Sequence, residues 1–355
     1  MKVVHIESGL GNQMLSFCEY LVLKKLHPNE DIYIENLIFD IPEANDVIRQ
    51  WNGYELERIF GIKAPNIRDI LTEEQWLQVM KEVRASKFWE RNWNYPIYIT
   101  QALEKVGIQL LNIRGNTEAP KNFKNHLRQL SLPPSIKKKV IHSRFGSYIK
   151  GLIYQWKTNH YIKRHNHKSE IFYTGSESIF TGQWLGMKHK EAGLEFIEKE
   201  MNQAFKFPPF NTDRNKEMSE YLQSCQSVAI HARRGDMLGA NGYCYKFGYF
   251  QRAIKLIRRK IENPVFVFFC DPGSISWCKD NADIFGLDFH KDKVYFVDWN
   301  HGEDSYRDMQ LMAQCKHAII TNSTFGWWGA FFIENPNKIT ISPKQESSTA
   351  TTHHC

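Results

Sequence analysis

The second half of the chain contains a series of short, almost wholly apolar segments, each followed by a helical pattern. Ser227–Ala232, Val265–Cys270 and His317–Thr321 are rich in β-branched and aromatic residues and have the length of buried strands. Strands that are apolar on both faces are typical of a parallel sheet covered by helices on both sides. The alternation therefore predicts an α/β domain, with further strands at 294–297 and 338–341.

The start of the chain shows a related pattern. Residues 2–6 have the composition of a strand, Ser8–Gln13 that of a small-residue turn, and 31–34 that of a second strand. Between them, Met14–Leu26 carries apolar residues at helical spacing. Strand, turn, helix and strand make the βαβ unit of a second α/β domain.

The length of 355 residues predicts about two domains of ordinary size. The pair Pro208-Pro209 marks the expected boundary, because two consecutive prolines interrupt both helices and strands. The polar end of the chain, residues 346–355, is expected to be disordered.

The net charge of +7 favours anionic partners, which include nucleic acids, anionic lipids and phosphorylated small molecules. The basic stretch 137–168 is interpreted as a solvated surface or hairpin, with RNA binding as the alternative. Its His165 and His167 lack nearby acids or cysteines, and the seven cysteines have no CxxC spacing, so we expect no metal site. Without a signal-peptide pattern or a long apolar run, we expect a cytoplasmic protein.

Polar clusters follow three of the predicted strands, where open parallel sheets bind ligands. The first is His231–Asp236, in which an arginine fork suits a phosphate better than a surface ion pair. The second is Asp271, which could bind a guanine edge or a ribose, or cap the next helix. The third is Thr321–Gly329, whose hydroxyls and helix start predict an anion site. Its two tryptophans are interpreted mainly as packing residues, with ligand stacking as the alternative.

A fourth cluster, Gly9–Gln13, lies between the first strand and its helix, where glycines allow close approach of a ligand. Met14 stands where the dinucleotide fingerprint GxGxxG requires its last glycine, and the chain has no GxxxxGK[ST] pattern. Neither a dinucleotide-binding loop nor a P-loop is therefore expected.

Together these segments resemble glycosyltransferase family 11, the α-1,2-fucosyltransferases. The family pattern HxRRGD is matched by residues 231–236, the pattern GLGNQ by Gly9–Gln13, and the late pattern N-S-[ST]-[FS]-x-W-W-G-A by Asn322–Ala330. The stretch 297–309 is also similar. The resemblance spans most of the chain and is weakest at 85–180.

This resemblance implies an α/β fold of the GT-B type, with two Rossmann-like domains whose parallel sheets face a central cleft. It implies that residues 1–210 form an acceptor-side α/β domain with an insertion at about 85–180. Residues 211–345 would form a C-terminal domain that binds a GDP-sugar.

The resemblance also implies a reaction: transfer of L-fucose from GDP-L-fucose, with inversion and without a metal or other cofactor, to the 2-hydroxyl of a terminal galactose. The acceptor would be an O-antigen, capsule or similar glycan. A bacterial cytoplasmic location, at the inner face of the membrane, and peripheral association with membrane-linked glycan intermediates are further expectations. No nucleic-acid partner is expected.

The roles of individual residues follow from the same resemblance. Arg233 would neutralise the β-phosphate, Asp271 would bind guanine, and Ser323 and Thr324 would bind the pyrophosphate. The candidate substrate-binding residues are His231, Arg234, Asp236, Asp271, Asn322, Ser323, Thr324, Gly11, Asn12 and Gln13, and the candidate catalytic residues are Arg233 and Glu7.

Glu7 is our hypothesis for the base that takes the acceptor proton, because it ends the first strand; a solvated or ion-paired acid is the alternative. The sequence departs from the family pattern at Ser8, where glycine is usual, and at Pro272, where a second acid is usual. Guanine contact would then depend on Asp271 alone. A non-catalytic protein that binds glycans or nucleotides is the alternative function.

Overall fold

The structure, a computed structural model, describes residues 1–47, 52–91, 93–114, 165–188 and 192–343, together with residues 156 and 163. Most of the basic stretch 137–168 and the whole of 346–355 lie outside these residues, so the expectations for them stay predictions. No helix within the described ranges combines the length and the apolar composition needed to cross a membrane.

The chain divides into two compact units. Unit 1 contains Met1–His5, Cys18–Val47 and the described part of Ala64–Ile197; unit 2 contains Ile6–Phe17 and the described parts of Ile48–Lys63 and Glu198–Cys355. The sequence predicted one boundary near residue 210, whereas two early segments belong by their contacts to unit 2. Every candidate site residue predicted above therefore lies in unit 2.

Unit 1 is built on a four-stranded parallel sheet of order β2-β1-β4-β3. The strands are β1 (Lys2–His5), β2 (Ile32–Glu35), β3 (Leu111–Asn112) and β4 (Ile179–Thr181). Residues 165–174 are also helical. The α-helices that begin in the first third of the chain are α1 (Leu10–Leu26), α2 (Pro42–Val47), α3 (Glu55–Phe60), α4 (Glu73–Ser86), α5 (Phe88–Arg91) and α6 (Tyr95–Lys105).

Two local signals at the start of helices had different outcomes. Thr72 caps α4 through a reciprocal capping box with Gln75, the arrangement that the pattern Thr-x-x-Gln favours. Helix α1, in contrast, begins at Leu10 and not at Met14, so the prediction that Gly9–Gln13 forms a loop is wrong for all but its first residue. The turn is made by Ser8, whose φ of 69° is left-handed.

Unit 2 is built on a five-stranded parallel sheet of order β7-β6-β5-β8-β9. The strands are β5 (Ser227–Ala232), β6 (Val265–Cys270), β7 (Val294–Val297), β8 (His317–Ile320) and β9 (Thr340–Ile341). The helices of unit 2 that begin after residue 197 are α7 (Glu198–Ala204), α8 (Asp213–Ser224), α9 (Leu238–Lys246), α10 (Tyr249–Lys260), α11 (Ile275–Asp280), α12 (Ala282–Phe285), α13 (Tyr306–Ala313) and α14 (Thr324–Phe331). Helix α3 and the first part of α1 also belong to this unit.

The central strands of unit 2 are covered on both faces. Alternate residues of β5 belong to two different cores: Val228 and Ile230 pack with α10, and Ala229 packs with α13 on the other face. The prediction of an α/β protein with two parallel sheets is therefore confirmed. Helix α9 was not predicted, because its sequence Leu-Gly-Ala-Asn-Gly contains two glycines and an asparagine, which are weak helix formers.

Candidate active site

The candidate site lies at the carboxyl edge of the unit 2 sheet, where the direction of winding reverses. From β5 the chain adds β6 and β7 on one side, and then β8 and β9 on the other. At such a switch point the loops after the two neighbouring strands diverge and leave a crevice that binds ligands in open α/β sheets. These loops are His231–Asp236 after β5 and Thr321–Ser323 after β8, so two of the predicted clusters meet there.

Asp271, at the end of β6, organises the loop after β5. Its Oδ2 accepts hydrogen bonds from the backbone N–H groups of Arg234 (2.9 Å) and Gly235 (2.7 Å), and from the Ser274 hydroxyl (3.0 Å). Its Oδ1 lies 2.9 Å from Nη1 of Arg233. Burial alone would raise the pKa of Asp271, but Arg233 and the two backbone donors together lower it, so the side chain is a carboxylate.

Arg233 and Arg234 have different surroundings. The Arg233 guanidinium lies between Asp271, whose side chain is 8% exposed, and Asp236, whose side chain is 46% exposed and 3.0 Å away. Arg234 stacks on Trp277 with its guanidinium carbon 4.0 Å from the ring centre. The two arginines were expected to have unequal roles, and their surroundings in the structure also differ. Their roles in nucleotide binding stay predictions.

His231 is a buried packing residue beneath the start of α14. Its ring stacks near Phe325, and a Cβ added to Gly326 would lie 2.4 Å from its Nδ1. Burial and the neighbouring Arg233 lower the pKa of His231 to about 4, so it is neutral near pH 7. If His231 contributes to nucleotide binding, a buried ring at this place would act indirectly, by fixing the backbone of β5 and α14. Its role stays a prediction.

The start of α14 packs closely against the backbone of Gly11. A Cβ on Gly11 would lie 2.6 Å from the Phe325 nitrogen, and the indole of Trp328 donates to the Gly11 carbonyl at 2.9 Å. Trp328 is fully buried, which agrees with the packing interpretation of this tryptophan. Ser323 is the N-cap of α14 and makes no capping bond with its side chain, which leaves this end polar.

The other predicted site residues near the start of the chain, Glu7, Asn12 and Gln13, differ in how deeply they are buried. Gln13 is fully buried and donates to the carbonyls of Ser8 (2.8 Å) and Gly53 (2.9 Å), while its oxygen accepts from the Glu55 N–H. Gln13 therefore joins the turn at Ser8 to the segment around Gly53 and Glu55. Asn12 and Glu7 are partly exposed. Their roles stay predictions.

Two further residues hold the site together: Thr321, which the sequence predicted as part of the third cluster only, and Asn241, which it did not predict. Thr321 accepts from the backbone N–H of Arg233 at 3.1 Å and donates to the His231 carbonyl at 3.1 Å. Asn241, in α9, bonds to the backbones of both Arg233 and Asn322. No sequence signal marks Asn241, because an asparagine between small residues has the composition of a turn.

The fourth similar stretch, 297–309, forms a separate polar cluster in unit 2. Asn300 donates to Asp308 at 2.8 Å and exchanges hydrogen bonds with Asn215. Burial raises the pKa of Asp308 to about 7, against the lowering effect of Asn300. Among the described residues, no group of three or more His, Cys, Asp or Glu side chains could hold a metal ion.

The comparison with known families agrees with this geometry. The family model described as Glycosyl transferase family 11 matches residues 133–353, which is more than half of the chain. The chain belongs to this family. The match includes the loops after β5 and β8, while Gly9–Gln13 lies outside it and is joined to them by the contacts of unit 2.

Family 11 membership is accompanied by similarity to individual relatives. The chain is 33% identical to an α-1,2-colitosyltransferase of Escherichia coli, over 46% of this chain and 54% of the relative. It is also 33% identical to galactoside α-(1,2)-fucosyltransferase 1 of Saimiri sciureus, over 29% of this chain and 28% of the relative. The chain thus spans about half, or less, of the length of these relatives.

A solved structure of NodZ α-1,6-fucosyltransferase co-crystallized with GDP aligns with 94% of this chain and 92% of its own, at 11% identity and a TM-score of 0.45. This likeness is too weak to support a conclusion about the site of this family 11 member.

Proposed function

We propose that this chain transfers L-fucose from GDP-L-fucose to the 2-hydroxyl of a terminal galactose in a glycan. One observation carries the proposal: the arginine loop after β5 and the uncapped start of α14 after β8 meet at the switch point of the unit 2 sheet. Family membership and relatives named as α-1,2-fucosyltransferases give the sugar and the linkage.

The charges at this edge suit a diphosphate leaving group. Asp271 is nearly buried and holds Arg233 in place, whereas Asp236 is exposed, so its ion pair with Arg233 is screened by water. We expect a diphosphate to replace Asp236 as the partner of Arg233. Arg233 and the N–H groups at the start of α14 would then stabilise the negative charge that develops as GDP leaves.

This arrangement would perform the reaction without a metal, with arginine supplying the positive charge. The test is the rate of transfer after removal of divalent metals by a chelator, which we expect to be unchanged. A loss of activity that Mg²⁺ or Mn²⁺ restores would refute metal independence.

Glu7 remains our proposal for the general base. In an inverting transfer the base takes the proton of the acceptor 2-hydroxyl, the oxygen attacks the anomeric carbon, and the bond to GDP breaks. Glu7→Gln should lower kcat by about 100-fold or more while leaving GDP affinity unchanged. Near-normal turnover in this variant would eliminate Glu7 as the base.

A second donor is supported by the relative with the larger aligned share of this chain, an α-1,2-colitosyltransferase. The donors are distinguished by offering GDP-L-fucose and GDP-colitose in parallel. We expect faster transfer from GDP-L-fucose; faster transfer from GDP-colitose would reassign the sugar and keep the reaction.

The decisive experiment is a screen of galactose-terminated acceptors with GDP-L-fucose, with the product linkage read by NMR. We expect an α-1,2-fucosyl product. Tight GDP binding without transfer to any acceptor, and without donor hydrolysis, would favour a non-catalytic nucleotide-binding protein. A cytoplasmic location and acceptors carried on membrane-linked intermediates belong to the same proposal and are tested by cell fractionation.

A further inference from the structure

The buried amide of Asn241 joins the two loops of the candidate site. We propose that Asn241 is a positioning residue that holds the arginine loop after β5 and the turn at 321–323 at one fixed separation, so that both can bind the same diphosphate. This inference rests on the proposed function.

The geometry of Asn241 accounts for all of its polar hydrogens. Its Nδ2 donates to the Arg233 carbonyl at 3.0 Å and to the Asn322 carbonyl at 3.2 Å, and its Oδ1 accepts from the Asn322 N–H at 3.0 Å. The residue is fully buried. Because two of the partners are carbonyls and one is an N–H, the amide can be oriented in only one way.

No other side chain of this size could make the same bonds. Aspartate would replace the nitrogen that donates twice by an oxygen that faces two carbonyl oxygens, and serine has a single hydrogen to donate. Glutamine has the right groups but is one methylene longer, which a buried position does not accommodate without strain. The position therefore requires asparagine for its hydrogen bonds and for its length.

The rest of α9 and β8 reinforces this connection. Tyr243, two residues further along α9, accepts a hydrogen bond from Nδ2 of Asn322 at 2.9 Å. Thr321, directly after the neighbouring strand β8, accepts a hydrogen bond from the backbone N–H of Arg233. Thr321 thus joins the two loops directly, and Tyr243 ties Asn322 to α9. Asn241 bonds to both loops from outside them.

The test uses calorimetric GDP affinity of the full chain, always as a ratio to the wild type at the same pH. Asn241→Asp should weaken GDP binding about 100-fold at pH 8, because a buried carboxylate faces two carbonyls. Burial and these carbonyls raise the pKa of such a carboxyl, so it should be protonated at pH 5.5. Protonation restores one donor, and most of the deficit should then disappear.

The matched control is Asn215→Asp, which changes another buried amide of unit 2 that bonds to Asn300. It should lower Tm but leave GDP affinity within about twofold of the wild type at both pH values. A purely structural role of Asn241 would make the two variants behave alike.

Two results would overturn the inference: an unchanged GDP affinity of Asn241→Asp at pH 8, or a deficit that is the same at pH 5.5. If this variant does not fold at pH 8, Asn241→Ala replaces it. About a tenfold loss of GDP affinity is then expected, and wild-type affinity is the contradicting result. Absence of GDP binding by the wild type itself would refute the proposed function, and this inference with it.

Discussion

Each of the two sheets has, at its carboxyl edge, a buried carboxylate that accepts hydrogen bonds from the loop, but this carboxylate has a different role in each unit. In unit 1, Glu35 is the last residue of β2. Its carboxylate accepts hydrogen bonds from the ring of His5, the hydroxyl of Tyr95 (2.6 Å) and the N–H of Leu37 (2.7 Å). A second buried carboxylate, Glu19, accepts from Thr181, Gly182 and Leu185. Both are fully buried, and the partners named above are backbone or neutral groups and one histidine.

In unit 2 the corresponding carboxylate is Asp271, which also accepts from two backbone N–H groups of the loop that follows a strand. The difference is that Asp271 additionally holds Arg233, whose side chain is 27% exposed. The carboxylate fixes the loop in both units, and the unit 2 carboxylate Asp271 fixes a partly exposed cation as well. An anion-binding role is therefore expected for the unit 2 edge.

The largest effect should come from removing that cation. Arg233→Ala should lower kcat/KM for GDP-L-fucose transfer by about 1000-fold or more, because it removes the charge that stabilises the leaving diphosphate. GDP affinity by calorimetry should fall as well. Arg214→Ala is the matched control: this arginine stacks on Trp299 at 3.8 Å in the same unit, outside the candidate site, and its loss should leave GDP affinity unchanged. Unaltered GDP binding by Arg233→Ala would contradict the central assignment.

The two edges differ also in their buried histidines, since His5 is bonded to Glu35 whereas His231 lies beside Arg233. The pKa of His231 is about 4 in the folded chain, against about 6.5 in an unfolded one. As the pH falls from 6.5 to 4 the unfolded state takes up the proton first, so the free energy of unfolding decreases by up to about 3 kcal/mol.

Urea unfolding at pH 7 and pH 4.5 measures this loss, with His231→Asn as the reference. The variant cannot titrate at this position and should lose less stability between the two pH values. The opposite contribution of Asp308, whose raised pKa makes folding less favourable as the pH rises towards 7, is present in both proteins and cancels in the difference. Equal losses in both proteins would show that His231 is not buried in its neutral form.

The third effect concerns Gly9 and Gly11, the two glycines of the Gly9–Gln13 cluster. Gly11→Ala should lower the free energy of unfolding by about 2 kcal/mol, because its Cβ would lie within 2.7 Å of the backbone of Thr324 and Phe325. Helix propensity alone would make this change favourable. Gly9→Ala meets nothing within 4 Å and should cost less than about 1 kcal/mol. Equal costs would mean that Gly11 does not pack against α14.

Gly11 also shows which features could be predicted from the sequence and which could not. Apolar runs predicted the sheet of unit 2 closely, because β5 and β6 are buried on both faces and periodicity reports burial directly. The same logic failed at Gly11, where the glycine serves close packing against a helix more than 300 residues later, so the local pattern indicated a loop. Asn241 was missed for the same reason, since its partners are distant in sequence and are backbone groups that any residue carries.

The smallest effect tests the comparison between the two carboxylates. Asp271→Asn keeps an oxygen that can accept from the loop but presents an amide N–H₂ to the guanidinium of Arg233, which cannot accept a hydrogen bond. We expect about a tenfold loss of GDP affinity with a modest fall in Tm. Glu35→Gln makes the same chemical change at the unit 1 edge, where it disturbs the bonds to His5, Tyr95 and Leu37. It should lower Tm and leave GDP affinity unchanged.

If both variants lost GDP affinity equally, the two edges would not differ in the way proposed, and Asp271 would be a general stabiliser of the fold. If Asp271→Asn lost far more than tenfold, a direct contact between Asp271 and guanine would explain the excess, because loss of the ion pair accounts only for the smaller loss.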